Sequence, residues 1–147
     1  MTTIREATEV DLPRIVELLN QLSIDSPRED AAYDYSAAFR AVDADPRQTL
    51  LVIKDEAGRV DGTLALVIVP NLSYQGRPWA VIENVVVDDS ARGLRLGEQL
   101  MTHAIELART AGCFRVGLTS NKQRHEAHRF YERLGFVATH EGYKIYF

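Results

Sequence analysis

The chain has 147 residues, of which 46% are hydrophobic and 26% charged, and its formal net charge is −4. These values are typical of one globular domain and exclude a disordered or fibrous protein. The mildly acidic total argues against a dedicated nucleic-acid binder, which usually has a basic face. A single cysteine, Cys113, excludes a disulfide framework, and no apolar run is long enough to span a bilayer. We therefore expect one cytoplasmic domain over residues 1–147, with neither nucleic acid nor a membrane as partner.

Charge is unevenly distributed along the chain. Residues 1–91 contain 8 basic and 16 acidic side chains, whereas residues 92–140 contain 8 basic and 4 acidic ones. Solvated helix faces would explain this, and so would an anion site in the second part with room for a cationic ligand beside the first. Only a motif can decide between the two interpretations.

A helical period follows a short strand predicted at residues 3–7. Thr8 begins a Thr-x-x-Asp capping pattern, and apolar residues then recur at helical spacing as far as Leu22. We expect Ser26-Pro27 to end this helix. A second helix is predicted over residues 31–42, with one apolar face formed by Tyr35, Ala38, Phe39 and Val42.

The period then becomes that of strands. Three strands are predicted at residues 48–54, 60–69 and 79–87. A helix with an apolar stripe beginning at Leu96 ends at Gly112, and a strand at residues 115–119 precedes a helix ended by Gly135. Residues 136–140 and 143–147 are predicted to form a terminal hairpin.

The predicted order of elements is β-αα-βββ-α-β-α-ββ. This order indicates a single-domain mixed α/β fold, in which helices flank a largely antiparallel central sheet with one βαβ crossover after Val87.

The most informative segment joins the strand ending at Val87 to the next helix. Arg92-Gly93-Leu94-Arg95-Leu96-Gly97 is a basic, glycine-containing turn that opens directly into that helix. Helix N-termini leave backbone N–H groups unpaired and carry partial positive charge, so such a turn suits a phosphate or pyrophosphate. A plain strand–helix connection that uses glycine for its geometry would give the same pattern. The fingerprints of Rossmann and P-loop sites are absent from the sequence.

Two segments resemble motifs of the GNAT superfamily of acyl-CoA N-acyltransferases. Val85-Val86-Val87 followed by Arg92–Gly97 resembles motif A, which reads [Q/R]-x-x-G-x-[G/A] after a strand. Residues 127–136, AHRFYERLGF, resemble motif B, which reads A-x-x-[F/L]-Y-x-x-x-G-F. The order of predicted elements is also similar to that fold over the whole chain. Arg95 stands where motif A has its first glycine, and some family members, including glucosamine-phosphate acetyltransferases, also lack that glycine.

Acyl transfer from a thioester to an amine requires a neutral nitrogen, a donor for the oxyanion and a proton for the departing sulfur. Glu83 is the candidate base, because an acidic side chain in an apolar strand is costly unless it is paired or used. A partnered structural carboxylate would satisfy the same pattern. By alternation, Glu83, Val85 and Val87 are expected on one face of the strand, and Asn84 and Val86 on the other.

The resemblance implies the remaining roles. It makes Tyr131 the general acid for sulfur, where helical spacing alone indicates a core aromatic residue. It supports Glu83 as a base acting directly or through water. Segments that the family uses to shape the acceptor pocket carry Tyr33, Tyr35, Tyr74 and Trp79, although core packing or surface exposure would explain each one. The acetyl-CoA site it implies consists of Val85, Val86, Val87, Arg92, Gly93, Leu94, Arg95, Leu96, Gly97 and Glu98.

The sequence thus predicts an acetyl-CoA-dependent N-acetyltransferase that needs no metal and acts on the primary amine of a small cationic or amino-sugar-like molecule. A protein Lys or N-terminal acetyltransferase and a non-catalytic CoA-binding sensor of the same fold remain alternatives. Arg124 disfavours protein N-termini, since many members that modify them carry Asn seven residues before the motif B tyrosine. Homodimerisation is an expectation from the family alone.

Overall fold

The computed structural model describes residues 1–22 and 28–147. Its strands are β1 (Thr3–Glu6), β2 (Gln48–Lys54), β3 (Val60–Val69), β4 (Trp79–Val87) and β5 (Val116–Gly117). Its helices are α1 (Leu12–Leu22), α2 (Ser36–Ala44), the single turn α3 (Ser73–Gly76), α4 (Leu96–Thr110) and α5 (His125–Arg133), with short 3-10 turns at Glu9–Asp11 and Asp89–Ala91. The predicted break at Ser26-Pro27 lies outside the described residues.

The five strands form one sheet in the order β1-β2-β3-β4-β5. Strands β1 to β4 pair antiparallel, whereas β5 runs parallel to β4 after the crossover through α4. The predicted mixed α/β fold is therefore confirmed. The described residues fall into two compact units, residues 1–117 and residues 118–147, and the organisation as one domain stays a prediction.

Two helical layers bury the apolar side chains of the sheet. Side chains of α1 and α2, including Ile15, Leu18 and Phe39, form one cluster with Val52 and Val86 of the strands. Helix α4 packs against β2, β3 and β4 through an apolar stripe whose buried members are Leu96, Leu100, Met101, Ala104 and Ala108. None of the helices in the described ranges is long and apolar enough to cross a membrane.

The structure differs from the prediction at three places. Helix α2 begins at Ser36 and not at residue 31, because Asp30 and Asp34 accept hydrogen bonds from the amides of Ala32 and Ser36, at 2.8 and 2.9 Å. Such local turns compete with helix formation. Strand β5 is shorter than predicted, because its pairing with β4 stops at Gly117.

The third difference is the predicted terminal hairpin, which does not form: residues 136–147 contain no strand. An isolated pair of strands without a covered apolar face is marginal in water. The apolar alternation of this segment was real, but alternation alone supplies no partner.

Candidate active site

The centre of β4 is interrupted by a β-bulge. Glu83 pairs with Ala65 of β3 and Val86 pairs with Thr63, so three steps along β4 oppose two along β3. Asn84 has a φ of 55°, in the left-handed region that non-glycine residues rarely adopt. Glu83 and Asn84 are consecutive exposed residues, and the strict alternation predicted for this strand fails there. The bulge therefore presents the Glu83 carboxylate at the surface of the sheet.

Beyond the start of β4, its outer edge has no partner strand. Strand β5 pairs only at Ala80–Val116 and Val81–Gly117. From Ile82 to Val87, the side of β4 away from β3 faces no strand among the described residues. Unpaired backbone N–H and C=O groups on a strand edge can bond an extended ligand as another strand would. This open edge includes the predicted donor-binding residues Val85 and Val87.

The segment after β4 forms a loop that ends at the N-terminus of α4. Gly93 has a φ of 87°, and no atom lies within 4 Å of the position that a Cβ would occupy there. Arg95, the residue that replaces the motif glycine, is itself left-handed, with a φ of 59°, and serves as the N-cap of α4. The first i→i−4 bond runs from the Gln99 amide to the Arg95 carbonyl at 3.2 Å, which leaves earlier amides available to an anion.

The arginines of this loop are held by weak surface ion pairs. Arg92 contacts Asp89 at 2.7 Å, and Arg95 donates two hydrogen bonds of 2.8 Å to Glu98. All four side chains are exposed or partly exposed, so each pair contributes little to stability and can give way to a phosphate. Among the predicted donor-site residues Leu94 is exposed, and Leu96 is buried as the first residue of α4.

Tyr131 lies in the second unit, on α5, and is buried. Its ring contacts those of Phe130 and Phe136, with centroids 5.3 and 6.0 Å away. Gly135 has a φ of 99° and ends the helix, and the Phe136 amide donates to the Tyr131 carbonyl at 3.1 Å. Tyr131 is therefore a core aromatic residue, and Gly135 ends α5 as predicted. The catalytic role of Tyr131 stays a prediction.

An exposed arginine, which sequence reasoning missed, lies on aromatic rings where β4 and β5 begin. The guanidinium carbon of Arg115 is 4.4 Å from the ring centroid of Trp79 and 5.5 Å from that of Phe114. Tyr74 stacks on Phe114 with centroids 4.0 Å apart. No carboxylate in the described parts of the chain is within ion-pair distance of Arg115. The register puts Trp79 and Glu83 on the same face of β4.

A cavity of about 140 Å³ between α1, α2 and the sheet reaches Thr63 and Asn84. Its lining is almost entirely apolar and includes Tyr35, Phe39 and Leu50. Tyr33, by contrast, is exposed. An apolar cavity of this kind does not match a sugar or another polar amine. Across residues 1–22 and 28–147, no group of three His, Cys, Asp or Glu side chains is arranged to hold a metal.

The mixed α/β fold is shared by solved structures of acetyltransferases. Residues 12–136 match the model of the acetyltransferase (GNAT) family. The chain belongs to this family, and it is an N-acetyltransferase.

Two relatives with N-acetyltransferase names and one solved structure illustrate what this chain is similar to. A glucosamine 6-phosphate N-acetyltransferase of Trypanosoma brucei brucei is 36% identical over 139 residues, which cover 92% of this chain and 88% of that protein. An aminoalkylphosphonate N-acetyltransferase of Salmonella typhimurium is 42% identical over 59 residues, or 40% of this chain and 38% of the relative. A crystal structure described as a transcriptional regulator from Bacillus halodurans superposes with a TM-score of 0.92 at 39% identity, covering 100% of both chains.

Proposed function

We propose that this enzyme transfers the acetyl group of acetyl-CoA directly to the amine of a small phosphorylated or phosphonylated amino compound, with a phosphorylated amino sugar as the first candidate. The observation that carries the proposal is the geometry of β4. Its open edge leads into a loop rich in free amides, and the Glu83 carboxylate is exposed at the bulge on the same strand. One strand therefore offers a donor-binding edge and a base.

The donor side rests on backbone groups. Pantetheine would bind along the edge of β4 beside Val85, Val86 and Val87, and the pyrophosphate would lie against the amides of Arg92–Glu98. The open space at Gly93 and the exchangeable ion pairs of Arg92 and Arg95 support this placement. An N–H of the bulged strand would stabilise the oxyanion that forms on the thioester carbonyl.

The chemistry needs three proton transfers. Glu83 takes a proton from the substrate ammonium, directly or through water, because only the neutral nitrogen has a lone pair for attack. The nitrogen–carbon bond forms, the tetrahedral intermediate collapses, and the carbon–sulfur bond breaks. Tyr131 supplies the proton that the departing thiolate takes up, in keeping with the motif B resemblance. The acylated nitrogen releases its second proton, which returns through water to the Tyr131 oxygen.

The acceptor side supports an anionic group on the substrate. The Arg115 Nη1 atom would be 2.9 Å from a Cβ at Gly117, so the guanidinium lies against the residue that pairs with Val81. Using about 3.3 Å per residue and about 4.8 Å between strands, this position is roughly 8 Å from the Cα of Glu83. A hexosamine phosphate carries its amine and its phosphate on opposite sides of one ring, a separation of this order.

The proposal is tested by release of free CoA thiol from acetyl-CoA with a panel of amines. We expect turnover with glucosamine 6-phosphate or an aminoalkylphosphonate, and much weaker turnover with glucosamine, polyamines and lysine peptides. Preference for a peptide amine would overturn the acceptor assignment. Tight binding of acetyl-CoA with no turnover on any amine would instead support a sensor.

We also propose that the chain acts as a cytoplasmic homodimer. The single cysteine is consistent with a reducing compartment. The C-terminal segment supports self-association, because its alternating apolar side chains Tyr143, Ile145 and Phe147 are exposed. Light scattering after size-exclusion chromatography should give twice the 16.5 kDa chain mass, and a monomer at micromolar concentration would contradict the dimer.

A further inference from the structure

A buried carboxylate holds the junction between β4 and the loop of residues 88–95 that leads to α4, here called the donor loop. Asp88 is 4% exposed and is the residue after the last one of β4. Its carboxylate accepts a hydrogen bond from the Ser90 amide at 2.8 Å and another from the Ser90 hydroxyl, which closes the 3-10 turn Asp89–Ala91. It also contacts the guanidinium groups of Arg14 and Arg59, the latter at 3.0 Å.

Helix α1 holds this junction with two side chains. Arg14 reaches Asp88 with one nitrogen and donates from Nε to the Val60 carbonyl at 2.9 Å, which ties α1 to the start of β3 as well. Gln21 donates to the Asp88 carboxylate at 3.2 Å and accepts from the Asp89 amide at 2.9 Å. Because seven residues make about two helical turns, Arg14 and Gln21 lie on the same face of α1.

The network joins three carboxylates to two guanidinium groups. Asp61 and Asp88 are buried, Arg59 contacts Asp61 at 3.0 Å, and the exposed Glu17 contacts Arg14 at 2.9 Å. Burial raises the pKa of Asp61, whereas the hydrogen bond from the Ser90 hydroxyl leads the contacts that hold the pKa of Asp88 below its ordinary value. Removing Arg14 would leave Arg59 as the one guanidinium facing two buried carboxylates, which is unfavourable.

We propose that Arg14, assisted by Gln21, is a positioning residue for the acyl donor. By fixing Asp88 and the Asp89 amide, α1 holds the loop in the conformation in which the amides of Arg92–Glu98 point at the pyrophosphate. Without these bonds, the loop would have to be ordered during binding, at the expense of affinity. This inference rests on the proposed donor site, and it assigns to α1 a part in donor binding that neither motif contains.

The chain offers a matched control at the start of α1. Arg5 donates to Asp11 through two hydrogen bonds of 2.7 and 2.9 Å, and the Asp11 side chain is as well shielded as that of Asp88. Arg5 and Asp11 join β1 to the 3-10 turn before α1 and do not contact the donor loop. Arg14→Met and Arg5→Met therefore remove equivalent cations, and only the first removal reaches the loop.

The experiment compares the acetyl-CoA KM, kcat and the Kd of CoA by titration calorimetry in the two variants. We expect Arg14→Met to raise KM and Kd by about 10-fold, with Arg5→Met within twofold of the wild type. Arg14→Lys should recover part of the affinity, because an ammonium still pairs with Asp88. Equal effects of Arg14→Met and Arg5→Met would show a merely structural role and overturn the inference.

Gln21→Leu covers the case in which Arg14→Met does not fold, because it removes two bonds to the junction and leaves the buried charges paired. We expect a rise in the Kd of CoA of about threefold, and an unchanged Kd would contradict the inference. Wild-type enzyme that neither binds CoA nor turns over would refute the proposed function itself. Wild-type binding with no specific effect of Arg14 or Gln21 would refute only the positioning role.

Discussion

The two ends of β4 hold their charged side chains in opposite ways. At the C-terminal end, the Asp88 carboxylate is buried and receives two guanidinium groups, one hydroxyl and two further N–H donors. At the N-terminal end, the Arg115 guanidinium is exposed on the Trp79 ring and faces no described carboxylate. The Asp88 charge is paired within the protein and holds the neighbouring backbone in place. The Arg115 charge has no acidic partner among the described residues and is available to a ligand.

This difference suggests a division of work along one strand. In the proposed function, the C-terminal end presents preorganised amides to acetyl-CoA. The N-terminal end presents the Arg115 side chain to the acceptor. Glu83 lies between them, at the bulge where the strand leaves its regular pairing.

Glu83→Gln removes the proposed base and preserves the shape of the side chain. We expect kcat to fall by about 100-fold, within the range of general base catalysis, with the acetyl-CoA KM little changed. A kcat close to that of the wild type would return Glu83 to a structural role.

Tyr131→Phe removes only a hydroxyl from a buried ring. If Tyr131 protonates the departing thiolate, kcat should also fall by about 100-fold, measured on variant enzyme that a urea titration shows to be folded. Phe130→Leu, on the neighbouring position of α5, is the control for packing. A kcat equal to that of the wild type would leave Tyr131 as a core aromatic alone.

Arg115→Met removes the cation at the acceptor end and retains an apolar side chain over Trp79. Hydrogen bonds to charged groups contribute about 1.5–3 kcal/mol, so kcat/KM for the phosphorylated amine should fall by at least about 10-fold. The value for the unphosphorylated amine should stay within twofold. Equal losses on both substrates would place the phosphate elsewhere.

Acid should lower the free energy of unfolding through Asp88, at the C-terminal end of β4. Because the folded-state pKa of Asp88 lies below its ordinary value of 3.8, its contribution is complete above about pH 4 and is lost as pH falls further. Asp11 behaves alike: its hydrogen bonds from Arg5 lower its pKa to about 2. Urea unfolding between pH 6 and pH 3 should show a decline that is shallower in Asp88→Asn. Parallel curves for the wild type and Asp88→Asn would contradict this.

Arg95→Gly should have the smallest effect. It relieves a left-handed backbone at φ 59° that costs a non-glycine residue about 1 kcal/mol, and it loses only an exposed ion pair with Glu98. We expect a gain of about 0.5 kcal/mol in the free energy of unfolding, measured by urea titration. Arg92→Gly, at a residue with a φ of −63°, should give no gain. Stabilisation by both changes would exclude strain at Arg95 as the cause.

Much of the local structure was determined by the sequence. Strands β2, β3 and β4 begin and end at the predicted residues, because each is a mainly apolar run bounded by turn residues. The turn from Val87 to Leu96 was likewise recognisable, since its glycine and arginine spacing is a local property. Local patterns were misleading at the start of α2, which was predicted five residues too early. The competing hydrogen bonds there come from acidic side chains only two residues away.

Tertiary structure alone decided the bulge at Asn84, the network around Asp88 and the place of Arg115. Arg14 and Asp88 are 74 residues apart, and no periodicity relates side chains at that distance. Arg115 meets Trp79 only because a crossover sets β5 parallel to β4 in one particular register. The sequence therefore determined which elements form and where the donor loop lies. Packing decided which charges are satisfied inside the protein and which remain exposed at the surface.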